Sequence, residues 1–159
     1  IIISGERHDD SFDLITRTLQ RIGEIKTVEI AIESSGRHNY GVIGPDKTPV
    51  VTLPGDPIAA YISFELLIRP MIRTMLGTAN IHRPSVKAKL EKALTSSGGM
   101  RSYVRAVLSA DGKSVAPLSS QDEQATLSDA NSFIAVPEGE THLAAGKEVT
   151  VVVLERRYL

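Results

Sequence analysis

The hydrophobic pattern of this 159-residue chain changes near residues 78–84, and that change constrains the fold more than any other feature. Before it, short apolar stretches alternate with segments whose apolar residues recur at helical spacing. After it, apolar and polar residues alternate, which is typical of half-buried strands. We therefore expect two units, residues 1–78 and residues 79–159.

The first unit combines strands and helices. Buried strands are predicted at residues 1–4, 26–32 and 50–53. Between the first two strands, a helix begins at Asp10 or Ser11, either of which can cap it. This order of strand, helix and strand predicts an α/β layer with a mostly parallel sheet.

A Pro-Gly-Asp-Pro turn precedes the longest predicted helix of the first unit. Asp56 is suited to cap that helix, and Pro57 fits its first turn, where the missing N–H costs nothing. Gly77 ends the helix. Pro70 lies inside it and should kink it near residues 66–69.

The second unit contains several short strands separated by turns. Alternation predicts strands at residues 86–90 and 103–108, followed by a hairpin turn at Asp111 and Gly112. Further strands are expected at residues 133–136 and 149–154. Several short strands with turn residues between them indicate a small all-β unit.

Composition excludes several classes of function. Lys plus Arg (18) nearly balance Asp plus Glu (19), so neither nucleic acid nor an anionic membrane is an expected partner. Cysteine is absent, which excludes disulfides and thiolate chemistry. The apolar stretch at residues 58–76 contains Glu65, Arg69 and Arg73, so it should not span a membrane. Because the chain begins with Ile1 rather than Met, we expect it to be a piece of a longer protein. It does not start like a signal peptide, so a cytoplasmic setting is expected.

Short motifs in both units resemble one enzyme family. The first unit has Leu-Pro-Gly-Asp-Pro at residues 53–57, Ser-Phe-Glu-Leu at 63–66, Arg-Pro at 69–70 and Leu-Gly at 76–77. The second unit has Ala-Asn, Pro-Glu-Gly and Ala-Gly-Lys-Glu-Val in its last thirty residues. Together these motifs resemble the C-terminal part of the molybdopterin molybdotransferases (the MoeA/gephyrin-E family).

The resemblance implies a fold and a reaction. The fold would be half of a molybdopterin-binding α/β domain, a partial three-layer and mostly parallel sheet, followed by a small all-β barrel. The reaction would be insertion of molybdate into adenylylated molybdopterin with release of AMP. Mg²⁺ would assist, and the longer protein would be a homodimer.

The resemblance also implies site residues. Asp13 would be the catalytic residue and the ligand of Mg²⁺, a hard cation that prefers oxygen ligands. The residues expected to bind the pterin, phosphate or molybdate are Ser4, Gly5, Arg37, Pro54, Gly55 and Asp56.

Several positions depart from the family pattern, and the changes share a sign. Glu6 and Asp10 stand where the family has glycine, Glu33 where it has lysine, and Asp56 where it has asparagine. Two like charges about 4 Å apart repel by roughly 1 kcal/mol in water and about 4 kcal/mol at an effective dielectric near 20. We therefore expect weak oxyanion binding. A catalytically degenerate paralogue acting as a binding or scaffold protein is the alternative function.

Simpler structural roles remain open for the acidic residues. Asp56 can be a helix cap and no more. Asp9, Asp10 and Asp13 can form an acidic first helical turn that complements the helix dipole. Glu65 can pair with Arg69, four residues later on the same helix, instead of acting on substrate.

The histidines and two arginines also have simpler interpretations. The histidines show no metal-ligand spacing and are expected at the surface or in loops; they are His8, His38, His82 and His142. Arg101 and Arg105 can reach an anionic ligand, although outward-facing strand positions are the more common explanation.

Overall fold

The computed structural model of the chain describes residues 1–6, 9–118 and 129–154. It divides into two compact units, Ile1–Ile81 and His82–Leu159. The sequence placed the division slightly earlier, at residues 78 and 79. His8 and the side chains of Glu6, Asp9 and Asp10 lie outside the described part of the chain.

The first unit combines one sheet with helical segments. Its elements in chain order are β1 (Ile2–Glu6), α1 (Asp9–Gln20), β2 (Gly23–Glu29), β3 (Arg37–Ile43), β4 (Thr48–Pro54), α2 (Pro57–Ser63), a π-helical turn (Phe64–Ile68) and α3 (Arg69–Met75). The strand order across the sheet is β1-β4-β3-β2.

The prediction of a mostly parallel sheet was wrong. β1 pairs with β4 in parallel, whereas β3 pairs antiparallel with both β4 and β2. The sequence reading missed β3, whose first residues, Arg37, His38 and Asn39, are polar. A short turn at residues 30–36 joins β2 to β3, and so short a connection can join only antiparallel strands.

Helical segments contact both faces of this sheet. Val51 and Leu53 of β4 pack against Ile68 of the π-helical turn. Their neighbour Thr52 is fully buried and faces the other way, because successive strand side chains alternate between faces. On that second face, Thr16 of α1 accepts a hydrogen bond from Asn39 of β3 at 2.7 Å.

The predicted kink in the long helix is a π-helical turn. The Arg69 N–H donates to the Phe64 carbonyl, five residues earlier, instead of to the residue four earlier. Pro70 follows directly and has no N–H to donate, so the regular pattern is interrupted here. Glu65 is buried and lies 3.8 Å from Arg69, as the structural interpretation of this pair predicted.

An apolar groove lies beside β1, one of the two outer strands of the sheet. Ile1 and Ile2 are 59% and 45% exposed, and Met75 of α3 is 67% exposed. These residues, with Ile68 and Ile72, line a groove of about 350 Å³. In the described part of the chain, this edge of the first unit is therefore apolar and exposed.

The second unit is built from strands. They are β5 (Ser85–Leu90), β6 (Leu94–Thr95), β7 (Ser102–Leu108), β8 (Ser114–Pro117), β9 (Ser132–Val136), β10 (His142–Leu143) and β11 (Glu148–Val153). A closed barrel has the strand order β11-β5-β8-β7-β9. Its core includes Leu90, Val115, Ile134 and Val151, each at most 1% exposed. The predicted barrel is thereby confirmed.

Arg105 corrects one prediction for the barrel. Arg105 was expected to face outward, but it is only 7% exposed and is therefore buried. Arg101 is half exposed and lies 3.8 Å from Glu138. The hairpin turn at Asp111 and Gly112 joins β7 to β8, as predicted, and Gly112 has a φ of 71° there.

No helix in the described ranges is long and apolar enough to cross a membrane.

Candidate site at the strand ends

The carboxyl ends of β1 and β4 lie at the same end of the sheet. Ser4 is opposite Leu53, and its hydroxyl donates to the Pro54 carbonyl at 3.4 Å. Gly5 has a φ of 122°, a backbone conformation that favours glycine. In open α/β sheets, ligands bind beyond the carboxyl ends of parallel strands. This end of the sheet is therefore the natural place for a ligand.

Arg37 reaches the same end of the sheet from β3. β3 runs antiparallel to β4 with Tyr40 opposite Val51, so the first residue of β3 lies near the last residues of β4. We call the residues gathered here the strand-end cluster: Ser4, Gly5, Asp13, Arg37, Pro54, Gly55 and Asp56. The site residues predicted from the sequence thus lie at one end of one sheet, although they belong to separate segments of the sequence.

Among the described side chains of α1, Phe12 and Asp13 lie beside the Arg37 guanidinium. Its Cζ lies 4.4 Å from the centre of the Phe12 ring, and its Nη1 lies 3.7 Å from Asp13 Oδ1. The Arg37 and Asp13 side chains are 39% and 50% exposed, so their ion pair contributes about 0.2–1 kcal/mol. Stacking on an aromatic face holds the cation without using its donors. Arg37 can therefore contact an anion from solvent.

Asp56 acts as the N-cap of α2. Its carboxylate accepts the Ala59 N–H at 2.8 Å, and its backbone is extended with φ −72° and ψ 127°. The helix-cap role predicted for Asp56 is thus confirmed. Its side chain is exposed, so its negative charge remains in contact with solvent at this end of the sheet.

The described residues do not form a Mg²⁺ site. Asp13 is the predicted ligand, but its carboxylate is directed to Arg37. Among residues 1–6, 9–118 and 129–154, as far as their side chains are described, no three His, Asp or Glu side chains come together at metal-binding distance. Mg²⁺ needs several oxygen ligands in near-octahedral geometry, which Asp13 does not supply by itself.

Beneath Arg37, a chain of buried hydrogen bonds joins three side chains. Ser35 Oγ lies 2.9 Å from His38 Nε2 and 2.9 Å from Ser63 Oγ. The other ring nitrogen, His38 Nδ1, lies 2.9 Å from the Thr52 carbonyl. His38 is 2% exposed, so its predicted surface position was wrong. Its burial is possible because both ring nitrogens have partners.

A second buried network lies on the opposite face of β3. The amide of Asn39 donates to Thr16 on α1, and its carbonyl oxygen accepts from Thr27 on β2, both at 2.7 Å. Its backbone N–H donates to Thr52 Oγ1 at 2.9 Å. The start of β3 is therefore anchored on both faces.

Sequence reasoning missed Phe12, which lies beside Arg37, and the buried hydrogen bonds of His38, Ser35 and Ser63. Phe12 directly precedes the predicted site residue Asp13, and only a fold that brings α1 beside β3 makes it a platform. His38 was expected at the surface or in a loop, and Ser63 was noted only as part of a family motif in the long helix. Of the residues with unfavourable charge, Glu33 is half-buried in the turn before β3.

Comparison with known proteins connects both units to one family. Residues 87–154 match the family described as the MoeA C-terminal region, domain IV. The chain is 30% identical to molybdopterin molybdenumtransferase 1 of Mycobacterium tuberculosis over 163 aligned residues, covering 97% of the chain and 38% of that relative. It is 34% identical over 130 residues to molybdopterin molybdenumtransferase 2 of the same organism, covering 80% of the chain and 31% of that protein.

A solved structure matches the chain as a whole. The molybdopterin biosynthesis MoeA protein from Pyrococcus horikosii superimposes with a TM-score of 0.77 at 28% identity, covering 97% of the chain and 37% of that protein. The chain thus spans less than two-fifths of the length of these relatives. From the motifs, the barrel and these matches, we conclude that the chain corresponds in sequence and fold to the C-terminal part of the MoeA proteins.

Proposed function

We propose that the strand-end cluster provides an anion contact for the insertion of molybdate into adenylylated molybdopterin, as part of a longer protein. Arg37 supplies the positive charge, directed at a phosphate group of the adenylylated pterin or at molybdate. Ser4, Gly5 and the turn at Pro54 and Gly55 surround that position with a hydroxyl and with closely approaching backbone. The reaction is a group transfer that releases AMP.

The position of Arg37 supports this proposal more than any other observation. Its guanidinium lies against Phe12, at the end of the sheet where β1 and β4 finish. A planar guanidinium presents paired donors that match phosphate and related oxyanions. Asp13 is its present partner, and an incoming anion would compete with that carboxylate for the same donors.

Other parts of the family reaction belong to the same proposal. Mg²⁺ would require oxygen ligands beyond Asp13, so we assign it no step here. A homodimer of the longer protein and a cytoplasmic location follow from the resemblance to the family. The pterin would be bound together with residues from outside this chain.

The acidic residues favour a second candidate, a catalytically degenerate paralogue that binds a partner or ligand without turnover. Asp56 adds an exposed negative charge at the same end of the sheet, and Asp13 forms an ion pair with Arg37. Both features weaken attraction for phosphate or molybdate. The two candidates differ in whether Arg37 binds an anion at all.

Calorimetric titration of the chain with AMP and with molybdate at low salt tests the proposal. We expect Arg37→Gln to weaken binding about fivefold or more, because a charge-assisted contact is lost. Arg21→Gln is the matched control, since it removes the same charge from an exposed residue beyond the far end of α1. Equal affinities for the wild type and Arg37→Gln would contradict the assignment of Arg37.

A further inference from the structure

We propose that His38 is a positioning residue for Arg37 and acts through the buried chain from His38 to Ser35 and Ser63. The role of Arg37 in binding an anion rests on the proposed function, whereas its placement by His38 does not. His38 touches no ligand in this proposal. It fixes the turn from which Arg37 emerges.

The partners of the His38 ring determine where its protons lie. A main-chain carbonyl can only accept, so His38 Nδ1 donates to the Thr52 carbonyl. In the neutral ring, Nε2 then accepts from the Ser35 hydroxyl. Because Ser35 uses its proton in this contact, its oxygen accepts from Ser63. The hydrogen bonds therefore all donate in one direction, from Ser63 on α2 through Ser35 and His38 to the Thr52 carbonyl on β4.

Alternation along β3 connects this chain to Arg37. Arg37 and Asn39 face α1, where they contact Asp13 and Thr16. His38 lies between them and faces the opposite side, where Ser35 links it to Ser63 of α2. A rotation of the strand that released His38 would therefore also move Arg37 away from Phe12.

The turn before Arg37 depends on these contacts. Ser34 has a φ of 63°, which disfavours a residue with a side chain, and Gly36 has a φ of 62°. The Ser35 N–H donates to the Ile32 carbonyl at 3.0 Å, and the Ile30 N–H donates to the Gly36 carbonyl at 3.1 Å. The side-chain bonds of Ser35 add an anchor from this unusual turn to α2 and β4. They hold a conformation that the local sequence does not favour by itself.

Substitutions at His38 and Ser35 distinguish the two hydrogen bonds of the His38 ring, one to Ser35 and one to the Thr52 carbonyl. Gln at position 38 can place an acceptor where Nε2 lies and keep the bond from Ser35. Asn is shorter and can keep only the donor to the Thr52 carbonyl. Ser35→Ala and His38→Asn therefore break the link to the turn, whereas His38→Gln keeps it. Thr18→Ala is the matched control, because Thr18 donates to the Leu14 carbonyl on the exposed surface of α1.

NMR of the ligand-free chain measures the position of Arg37 directly. Stacking over Phe12 displaces the Arg37 side-chain proton signals through the ring current, and Phe12→Leu gives their unstacked values. We expect Ser35→Ala and His38→Asn to move these signals at least halfway to the unstacked values, and His38→Gln and Thr18→Ala to leave them near wild type. The ¹⁵N signals of His38 should show a protonated Nδ1 and an unprotonated Nε2.

Two results would overturn the positioning role. One is an unchanged Arg37 signal in a folded Ser35→Ala or His38→Asn variant. The other is a His38 ring protonated at Nε2 alone. Ser63→Ala removes only the last hydroxyl of the buried hydrogen-bond network. It serves as the milder variant if the other two fail to fold. A purely structural role would lower stability without moving Arg37.

Titration with inorganic phosphate then separates this proposal from the proposed function. We expect the variants that release Arg37 to bind phosphate up to about fivefold more weakly, the range of a partly exposed ion pair. If the wild type and Arg37→Gln bind phosphate equally, the anion site is overturned. The NMR comparison still decides the positioning role, because it uses no ligand.

Discussion

Charge in the strand-end cluster and in the turn before β3 should set the affinity of this end of the sheet for anions, and one residue from each allows a direct test. We expect Glu33→Lys combined with Asp56→Asn to tighten binding of molybdate or AMP. Each change should contribute about 1 kcal/mol, because like-charge repulsion is replaced by a neutral or attractive group. Asn caps a helix about as well as Asp, so α2 should keep its first turn. Calorimetry at two ionic strengths measures the effect, which should be larger at low salt.

The matched control makes the same charge changes away from the cluster. Glu24→Lys and Asp46→Asn lie at the opposite end of the sheet, where β2 begins and β3 turns into β4. This control should not change affinity beyond the weak effect of net charge. If the cluster variant binds no better than wild type at either salt concentration, electrostatic repulsion does not explain weak binding.

Individual residues were predictable from the sequence where their partners are close in the chain. Asp56 as a cap and the pair of Glu65 with Arg69 depend on residues three and four positions away. His38 was mispredicted because its partner Thr52 is distant in sequence, and because its other partner, Ser35, is itself held by the distant Ser63. Polar residues are buried only when such partners exist, and a single sequence does not show them.

At the level of elements, the helices and barrel strands were easier to predict than the sheet of the first unit. β3 was missed because its first residues do not alternate between apolar and polar, and its fully buried residues, His38 and Asn39, are polar. The π-helical turn was predicted only as a kink, since Pro70 indicates an interruption but not its hydrogen-bond pattern. Strand direction depends on connections, and the short turn into β3 decided it.

The hairpin turn between β7 and β8 provides a test with pH. The Ser109 hydroxyl donates to Asp111 at 2.7 Å and lowers the pKa of that carboxyl below 3.8, with help from the Lys113 N–H. Because the folded-state pKa is lower, the contribution to stability is present above pH 3.8 and is lost as pH falls through the folded pKa. We expect Ser109→Ala to raise the pKa of Asp111. Carboxyl ¹³C NMR titration measures it.

An exposed serine elsewhere serves as the control for the hairpin. Ser11→Ala on α1 should leave the titration of Asp111 unchanged. An unaltered pKa in Ser109→Ala would show that the hydroxyl does not stabilise the carboxylate.

At the scale of the whole molecule, the barrel unit should fold by itself. Its hydrophobic core consists of residues from the second unit, and a closed barrel leaves no open strand edge among its five strands. We expect residues 82–159 to show a cooperative thermal transition by circular dichroism. Leu90→Ala should lower the free energy of unfolding by about 2–5 kcal/mol, because Leu90 is 1% exposed.

Met100→Ala is the control for the barrel, since Met100 is half exposed and its truncation removes little buried surface. A non-cooperative transition for residues 82–159 would contradict independent folding. Equal destabilisation by both substitutions would contradict the assignment of Leu90 to the core.

The chain by itself should not insert molybdate. It spans 38% of the length of molybdopterin molybdenumtransferase 1, and a catalytic site needs its groups held together in a defined geometry. We expect no release of AMP from adenylylated molybdopterin above the uncatalysed rate. The Mycobacterium tuberculosis relative provides the positive control, and turnover by residues 1–159 would contradict the prediction.

The resemblance to the MoeA family was recognised from sequence motifs and not from the spacing of apolar residues. The spacing of apolar residues predicted an α/β unit and a β unit but gave no chemistry. The Pro-Gly-Asp-Pro turn and the helix interrupted at Pro70 provided the specific signal, and the match of residues 87–154 agrees with it. The arrangement of the cluster could not be predicted, because it depends on the antiparallel placement of β3.

The open edge of β1 has a consequence for the behaviour of the chain in solution. Among the described residues, β1 pairs with β4 on one side only, and a strand edge with exposed isoleucines is a template to which other extended chains can add. Concentrated samples will therefore tend to aggregate through this edge and the groove beside it. Low protein concentration, or a lysine at position 2, should keep the chain monodisperse long enough for calorimetry and NMR.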